Sequence, residues 1–382
     1  MKKIEIGVEK EQTAGFKAFI PHKFPPMAGI DFPPELPKKG SEATRLLGKL
    51  DGITLLLPNV DFFLSMYLRK DATASSQIEG TMATMIDAIE AEVKVNANIP
   101  KDVDDILHYI QALNYGMKRV KDENFPMSLR FIRELHNQLM EKARGTHFSD
   151  PGEFRNSQNW IGGTRPDNAR FVPPPVQEMH NALNDLEIFI HAVDFLQPVI
   201  RAGLLHAQFE TIHPFLDGNG RTGRMLIPLY LWKEGLLEKP VLFLSSYFKK
   251  HQDVYYEKLD GYHHGEIFEW IEFFLDGVIE IANEAIGTVN KITVLREKDM
   301  AKIQTLGKRA AESAMMVLPK LYEYPIVNVS LIQKWTGFTR VGAQTVIDRF
   351  IDKKILRPKN EDVKYGQSYV YKEYLNIFTD NN

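Results

Sequence analysis

His213-Pro214-Phe215-Leu216-Asp217-Gly218-Asn219-Gly220-Arg221-Thr222-Gly223-Arg224 is the stretch on which the reading of this chain turns. Apolar residues at helical spacing precede it (Val199, Leu204, Leu205, Phe209, Ile212) and follow it (Met225, Leu226, Leu229, Tyr230). The chain therefore runs helix, tight loop, helix, and a Gly-Asn-Gly turn opens the second helix. Glycine and asparagine tolerate positive φ, so successive N–H groups can converge on one concavity. The N-terminus of the new helix adds unpaired donors and a partial positive charge. Together these make a seat for an anion.

Arg221 and Arg224 are three apart and share a helix face, so both guanidinium forks can reach phosphate oxygens held at that terminus. Asp217 comes just before the seat. A carboxylate beside phosphates is tolerated when a hard cation lies between them, which points to Mg2+ held by one carboxylate and phosphate oxygens. His213 closes the other side of the loop, and an imidazole can accept a hydroxyl proton near neutral pH. A lone Gly-x-Gly before a helix, or a lone His before Pro, carries little information. Base, acid, anion seat and two arginines within one turn-sized segment carry much more.

The composition is ordinary for a soluble globular protein. The chain has 382 residues, and 47 basic against 50 acidic side chains leave a net charge of −3. It is neither polybasic nor an acidic tail protein. Hydrophobic residues are 44% and charged residues 25%, which excludes disorder over the whole chain. The absence of cysteine excludes disulfides, thiolate metal sites and cysteine nucleophiles and fits a reducing cytosol. The apolar runs Ile53 to Pro58 and Met225 to Trp232 fall far short of the ~20 residues of a membrane span, and the first ten residues lack a signal-peptide core. A cytoplasmic protein is expected.

Working outward, residues 1–40 hold Pro21, Pro25, Pro26, Pro33, Pro34 and Pro37, so an extended, irregular arm is expected there. Residues 41–125 begin with a helical pattern from Glu42 to about Val95. Further helices are expected at 101–120, 127–143, 174–195, 198–212, 221–235, 251–260 and 264–290. Between them Phe148 to Pro175 reads as a loop carrying a small hairpin, with Trp160-Ile161 and Arg170-Phe171-Val172 flanking its turn. That loop offers the only extended backbone near the anion seat, and a free strand edge can hold an extended peptide by main-chain bonds. A polar helix at about 286–318 leads to a small unit over 324–382.

The segment His213 to Arg224 resembles the signature of Fic-domain proteins, H-P-F-x-D/E-G-N-G-R-x-x-R, at every position. Pro151-Gly152-Glu153-Phe154-Arg155, Trp160 to Gly163 and Phe171 to Pro175 resemble the family's flap region. Ser75-Ser76-Gln77-Ile78-Glu79-Gly80 resembles its inhibitory motif, S/T-x-x-x-E-G/N. The resemblance covers about residues 40–290. It implies a mainly α fold, a Fic helical core over 126–290 with a β-hairpin flap. The activity implied is transfer of AMP from ATP to a Tyr, Thr or Ser hydroxyl of a protein docked at the flap, with self-modification as one outcome.

By the same resemblance His213 is the base and Asp217 holds Mg2+. The phosphates lie on Gly218, Asn219, Gly220, Arg221, Thr222, Gly223 and Arg224, with both arginines balancing leaving-group charge. The adenosine contacts Asn159, Trp160, Ile161, Gly162, Tyr255, Tyr256 and His263. Glu79, one helical turn after Ser75, pairs with Arg224 and fills the place of the γ-phosphate. A homodimer is also implied.

Residues 291–323 are expected as a connecting helix. Val329 to Phe350 reads helix, Gly turn, helix, and Ile355-Leu356 and Tyr369-Val370-Tyr371 flank a polar tip at Lys359 to Gln367. This resembles the winged helix-turn-helix domains found after Fic cores. Ser330–Asn382 holds nine Lys/Arg against six Asp/Glu, so protein docking stands beside DNA binding as its role. Two other readings of the whole chain stay open: a winged-helix regulator whose core only senses nucleotide, and transfer of a different phosphate-linked group.

Overall fold

The structure is a computed structural model describing residues 3–25, 32–57, 59–94, 99–122, 125–141, 150–192, 196–360 and 366–379. Phe148, Val95, Pro26, residues 193–195 and the centre of the tip between Lys359 and Gln367 lie outside the described residues.

The chain opens with a hairpin of β1 (Gly7–Glu11) and β2 (Lys17–Pro21), and then enters α1 (Glu35–Thr54), α2 (Val60–Ile78), α3 (Met85–Val93), α4 (Val103–Asp122) and α5 (Leu129–Met140). After the flap come α6 (Val176–His191), α7 (Pro198–Ile212), α8 (Asn219–Lys233), α9 (Ser245–Lys250), α10 (Gln252–His263) and α11 (Ile267–Gln304). The C-terminal part is α12 (Lys308–Leu321), β3 (Ile326–Asn328), α13 (Val329–Thr336), α14 (Arg340–Asp352), β4 (Arg357–Pro358), β5 (Ser368–Val370) and α15 (Lys372–Thr379), with a sheet order β3-β5-β4.

The helices α7 and α8 form the centre. Every residue of α7 from Val199 to Ile212 is buried, as is nearly all of α8. A helix apolar all round belongs inside a bundle. The surrounding helices hold one face each toward this pair, and α1 packs along α11. Local signals set the ends: Asn59 caps α2 by accepting from the Asp61 N–H at 2.8 Å, and Ser128 caps α5. Among the described residues no helix is long and apolar enough to cross a membrane.

Several expectations need correction. The arm is not irregular throughout: residues 7–21 pair as a hairpin, and α1 begins at Glu35 rather than after residue 40. Pro33 and Pro34 precede that helix, where a missing N–H costs nothing. The single helical pattern from Glu42 is three helices. The flap is held by one bridge, Ile161 to Phe171, rather than by two strands. It is also not the only extended backbone there, because Phe19 of β2 donates its N–H to the Val172 carbonyl at 2.9 Å. The helices expected at 264–290 and 286–318 join as α11, and the break falls instead between Gln304 and Lys308.

Candidate functional site

The loop between α7 and α8 is fixed from within and from outside. His213 ends α7 with φ 48° and ψ 59°, a left-handed conformation that non-glycine residues adopt only when their surroundings hold them there. Its carbonyl accepts from Arg155 Nε at 3.0 Å and Asn159 Nδ2 at 3.1 Å, and the Arg155 N–H donates to the Pro214 carbonyl at 2.9 Å. Asn219 staples the turn: its Oδ1 accepts the Phe215 N–H at 2.9 Å and its Nδ2 donates to the Phe215 carbonyl at 2.8 Å. Gly218 stands at φ 76°, and a Cβ there would meet Met140 Sδ at 2.9 Å.

The His213 Nδ1 lies 3.3 Å from the Glu210 carbonyl. A carbonyl only accepts, so Nδ1 carries the proton and the Nε2 lone pair is free to act as a base. Burial lowers the imidazole pKa to about 4, with Arg155 acting in the same direction, so the ring is neutral at pH 7.

The two arginines differ. Arg224 is buried, and its Nε donates to Ser75 Oγ at 2.8 Å while a terminal nitrogen donates to the Ser75 carbonyl at 3.1 Å and Glu79 Oε1 at 2.6 Å. Burial alone would lower its pKa, but the Glu79 charge more than offsets this and raises it. Burial likewise works against the Glu79 carboxylate, and Arg224 prevails to hold it below the usual range. A Cβ added to Gly220 would lie 2.4 Å from Glu79 Oε1, so the carboxylate rests directly over the first turn of α8. Arg221 has no such partner set. Its terminal nitrogen is 3.6 Å from Met140 Sδ and 3.8 Å from Asp217 Oδ1, and its buried Nε has no hydrogen-bond partner.

The Asp217 carboxylate accepts its neighbour's Gly218 N–H at 2.6 Å and remains 57% exposed. Among the described residues no cluster of three or more His, Asp or Glu could hold a metal by itself. A single accessible carboxylate suits Mg2+, which keeps several waters and takes its other ligands from substrate phosphates.

The expected adenosine residues are spread out. Asn159 spends its amide on the loop carbonyls, Trp160 is 40% exposed, and Ile161 pairs with Phe171 next to Gly162. Tyr255 is buried with its hydroxyl 2.8 Å from His206 Nε2. Tyr256 is half-buried. His263 stacks on Phe171 with centroids 3.8 Å apart and places Nε2 3.1 Å from Thr211 Oγ1. Thr222 and Gly223 are on the buried side of α8.

Sequence reasoning missed His136. Its ring stacks on Phe215 at 3.6 Å, its Nδ1 accepts the Gly152 N–H at 2.9 Å, and its Nε2–H donates to the Asp217 carbonyl at 3.0 Å. Burial lowers its pKa to about 4, which keeps the ring neutral, and these two bonds fix its tautomer. In the sequence it is one more residue on the inner face of an amphipathic helix, and nothing local marks it.

An anion seat at a helix start, faced by an imidazole, defines the class, and two family descriptions match the chain: "Fic/DOC family N-terminal" over residues 38–118 and "Fic/DOC family" over 126–231. The Glu79 motif falls within the first of these matches and the anion seat within the second. It is similar to Protein adenylyltransferase Fic of Aedes aegypti, 28% identical over 207 residues, or 52% of this chain and 38% of that protein. The namesake from Nematostella vectensis is 28% identical over 202 residues, covering 52% of this chain and 44% of the relative. The chain thus spans well under two thirds of the length of these relatives. The fold is similar to that of a Fic family protein from Desulfovibrio desulfuricans G20, with a TM-score of 0.58 and 17% identity over 90% of this chain and 97% of that one. It is also similar to Fic-1 of C. elegans, with a TM-score of 0.53 and 18% identity over 67% and 73%.

Proposed function

We propose that the chain is a protein adenylyltransferase held in a braked state by its own Glu79. The observation that carries this reading is the carboxylate over Gly220, paired with Arg224: an anion of this chain already rests where a phosphate would bind. ATP would lie along the α8 terminus, its phosphates on the Gly218 to Gly220 backbone and on Arg221 and Arg224. The target's Tyr, Thr or Ser oxygen bonds to the α-phosphorus, the bond to the β-phosphate oxygen breaks, and pyrophosphate leaves. The hydroxyl proton passes to His213 Nε2. Mg2+ held by Asp217 supplies charge neutralisation on the phosphates. Arg155, Asn159 and His136 keep the base and the Asp217 backbone in place. The adenosine residues and the flap as docking edge follow from family likeness. The edge of residues 170–172 that Phe19 engages is already taken, which leaves the Trp160 side for a target. The C-terminal unit, a helix-turn-helix followed by a strand pair, is read as a winged helix, with docking, dimer contact or DNA as its role.

Purified full chain incubated with α-labelled ATP and Mg2+ tests the reading, with the chain itself as acceptor. Glu79→Gly should incorporate more AMP than wild type. His213→Ala in the Glu79→Gly background should lose about 10²–10⁴-fold. Equal labelling with and without His213 contradicts the assignment.

A further inference from the structure

Glu210 is a second acid at this site, and none of the roles above uses it. It lies on α7 three residues before His213, so both side chains share one helix face. Its Oε2 is 3.9 Å from His213 Nδ1. Its Oε1 is buried without a hydrogen-bond partner. That oxygen lies over Gly223, where an added Cβ would meet it at 2.6 Å. A buried carboxyl oxygen left unpaired costs free energy, and such atoms in native proteins call for an account.

We propose that Glu210 is the positioning carboxylate of His213: it holds the Nδ1–H side of the ring and stabilises the imidazolium formed when Nε2 takes the target's proton. The inference rests on the adenylyl-transfer reading above. The present Nδ1 bond to the Glu210 main-chain oxygen is long at 3.3 Å, and a carboxylate is the stronger acceptor for a charged ring. Glu210 supplies counter-charge to the ring, as in other carboxylate–histidine pairs.

The surroundings set the direction of the effect. Glu210 faces Arg224 from α8, Glu79 from the end of α2, Tyr255 and Tyr256 from α10, and His206 and His213 on its own helix. His213 faces Arg155, Glu79, Asp217, His263 and Glu210. Burial raises the Glu210 pKa to about 7, with Arg224 opposing and Glu79 adding. Withdrawing the Glu79 charge therefore favours ionised Glu210. An anion beside Nδ1 then strengthens a base that burial has weakened.

The test uses the full chain in the Glu79→Gly background. The His213 ring is followed by ¹⁵N NMR through a pH titration, its signals assigned by their loss in His213→Ala. Glu210→Gln should lower the His213 midpoint by about one pH unit. AMP incorporation from α-labelled ATP should fall about tenfold with KM for ATP unchanged, and the acid limb of the rate profile should move to lower pH. Glu210→Asp should restore part of both, and it carries the comparison if Glu210→Gln fails to melt cooperatively. An unchanged midpoint overturns the proposal, including when the rate falls, since packing alone would then explain the loss. Full labelling by the His213→Ala chain overturns the transfer reading instead, while the midpoint still reports whether Glu210 and His213 are coupled.

Discussion

Arg221 and Arg224 stand less than one turn apart on the same helix, yet one is tied and the other open. Arg224 spends its donors on Ser75 of α2 and on Glu79 at that helix's end, whereas among the described residues Arg221 meets a thioether and an exposed carboxylate 3.8 Å away. The difference comes from which neighbour each side of α8 faces. Positive charge is thus left in reserve on one side and neutralised by the chain itself on the other, and the same residue type three positions away stands in a different setting.

A double-mutant cycle gives the largest test of that contrast. Glu79→Gly should raise AMP incorporation by about tenfold or more where Arg224 is present, the scale of one charge-assisted bond. In an Arg224→Ala chain the same change should have little effect, while in Arg221→Ala it should keep its full fold-effect at a lower absolute rate. Equal responses in both arginine variants would break the comparison. Ser75→Ala comes next. It leaves the buried Arg224 Nε without an acceptor and should cost about 1–3 kcal/mol of stability, read as a lower urea midpoint, with a smaller rise in basal labelling. A normal midpoint would mean that Ser75 contributes nothing to holding Arg224.

The smallest expected effect is with pH. The pKa of Glu79 is depressed in the folded chain, so its pairing contributes fully above the ordinary carboxylate range and is lost only as pH falls through a lower value. With Glu210→Gln in both chains, which removes its own titration near pH 7, the ratio of labelling with to without Glu79→Gly should therefore be constant between about pH 6 and 8, since an ordinary Glu titrates near 4.3. A ratio that collapses in that window would mean that another group sets the brake.

How much of this was legible depended on distance along the chain. The turn from His213 to Arg224 is local, so its residues declare the anion seat unaided. Glu79 reaches Arg224 across 145 positions and was found only through resemblance to an inhibitory motif. His136 and Glu210 sit on inward helix faces, where a periodicity reading counts position and not chemistry. The N-terminal arm was misjudged because proline content says nothing of the strand Lys17–Pro21, where the adjacent Ala18 and Phe19 are both buried. The continuity of α11 was missed because its sequence turns polar after about residue 290, although packing of α1 against α11 supports that helix.

That uninterrupted α11 runs from the helical bundle to the C-terminal unit, where it packs on α15. Its 38 residues amount to about 57 Å of stiff rod, with Ile267 and Trp270 buried near one end and Asp299, bonded to the Tyr371 hydroxyl and Lys302, near the other. A beam of that kind transmits torque where a loose string would absorb it. The two halves should tumble as one body in solution, and anything grasped at the far end is held at a set span from the anion seat.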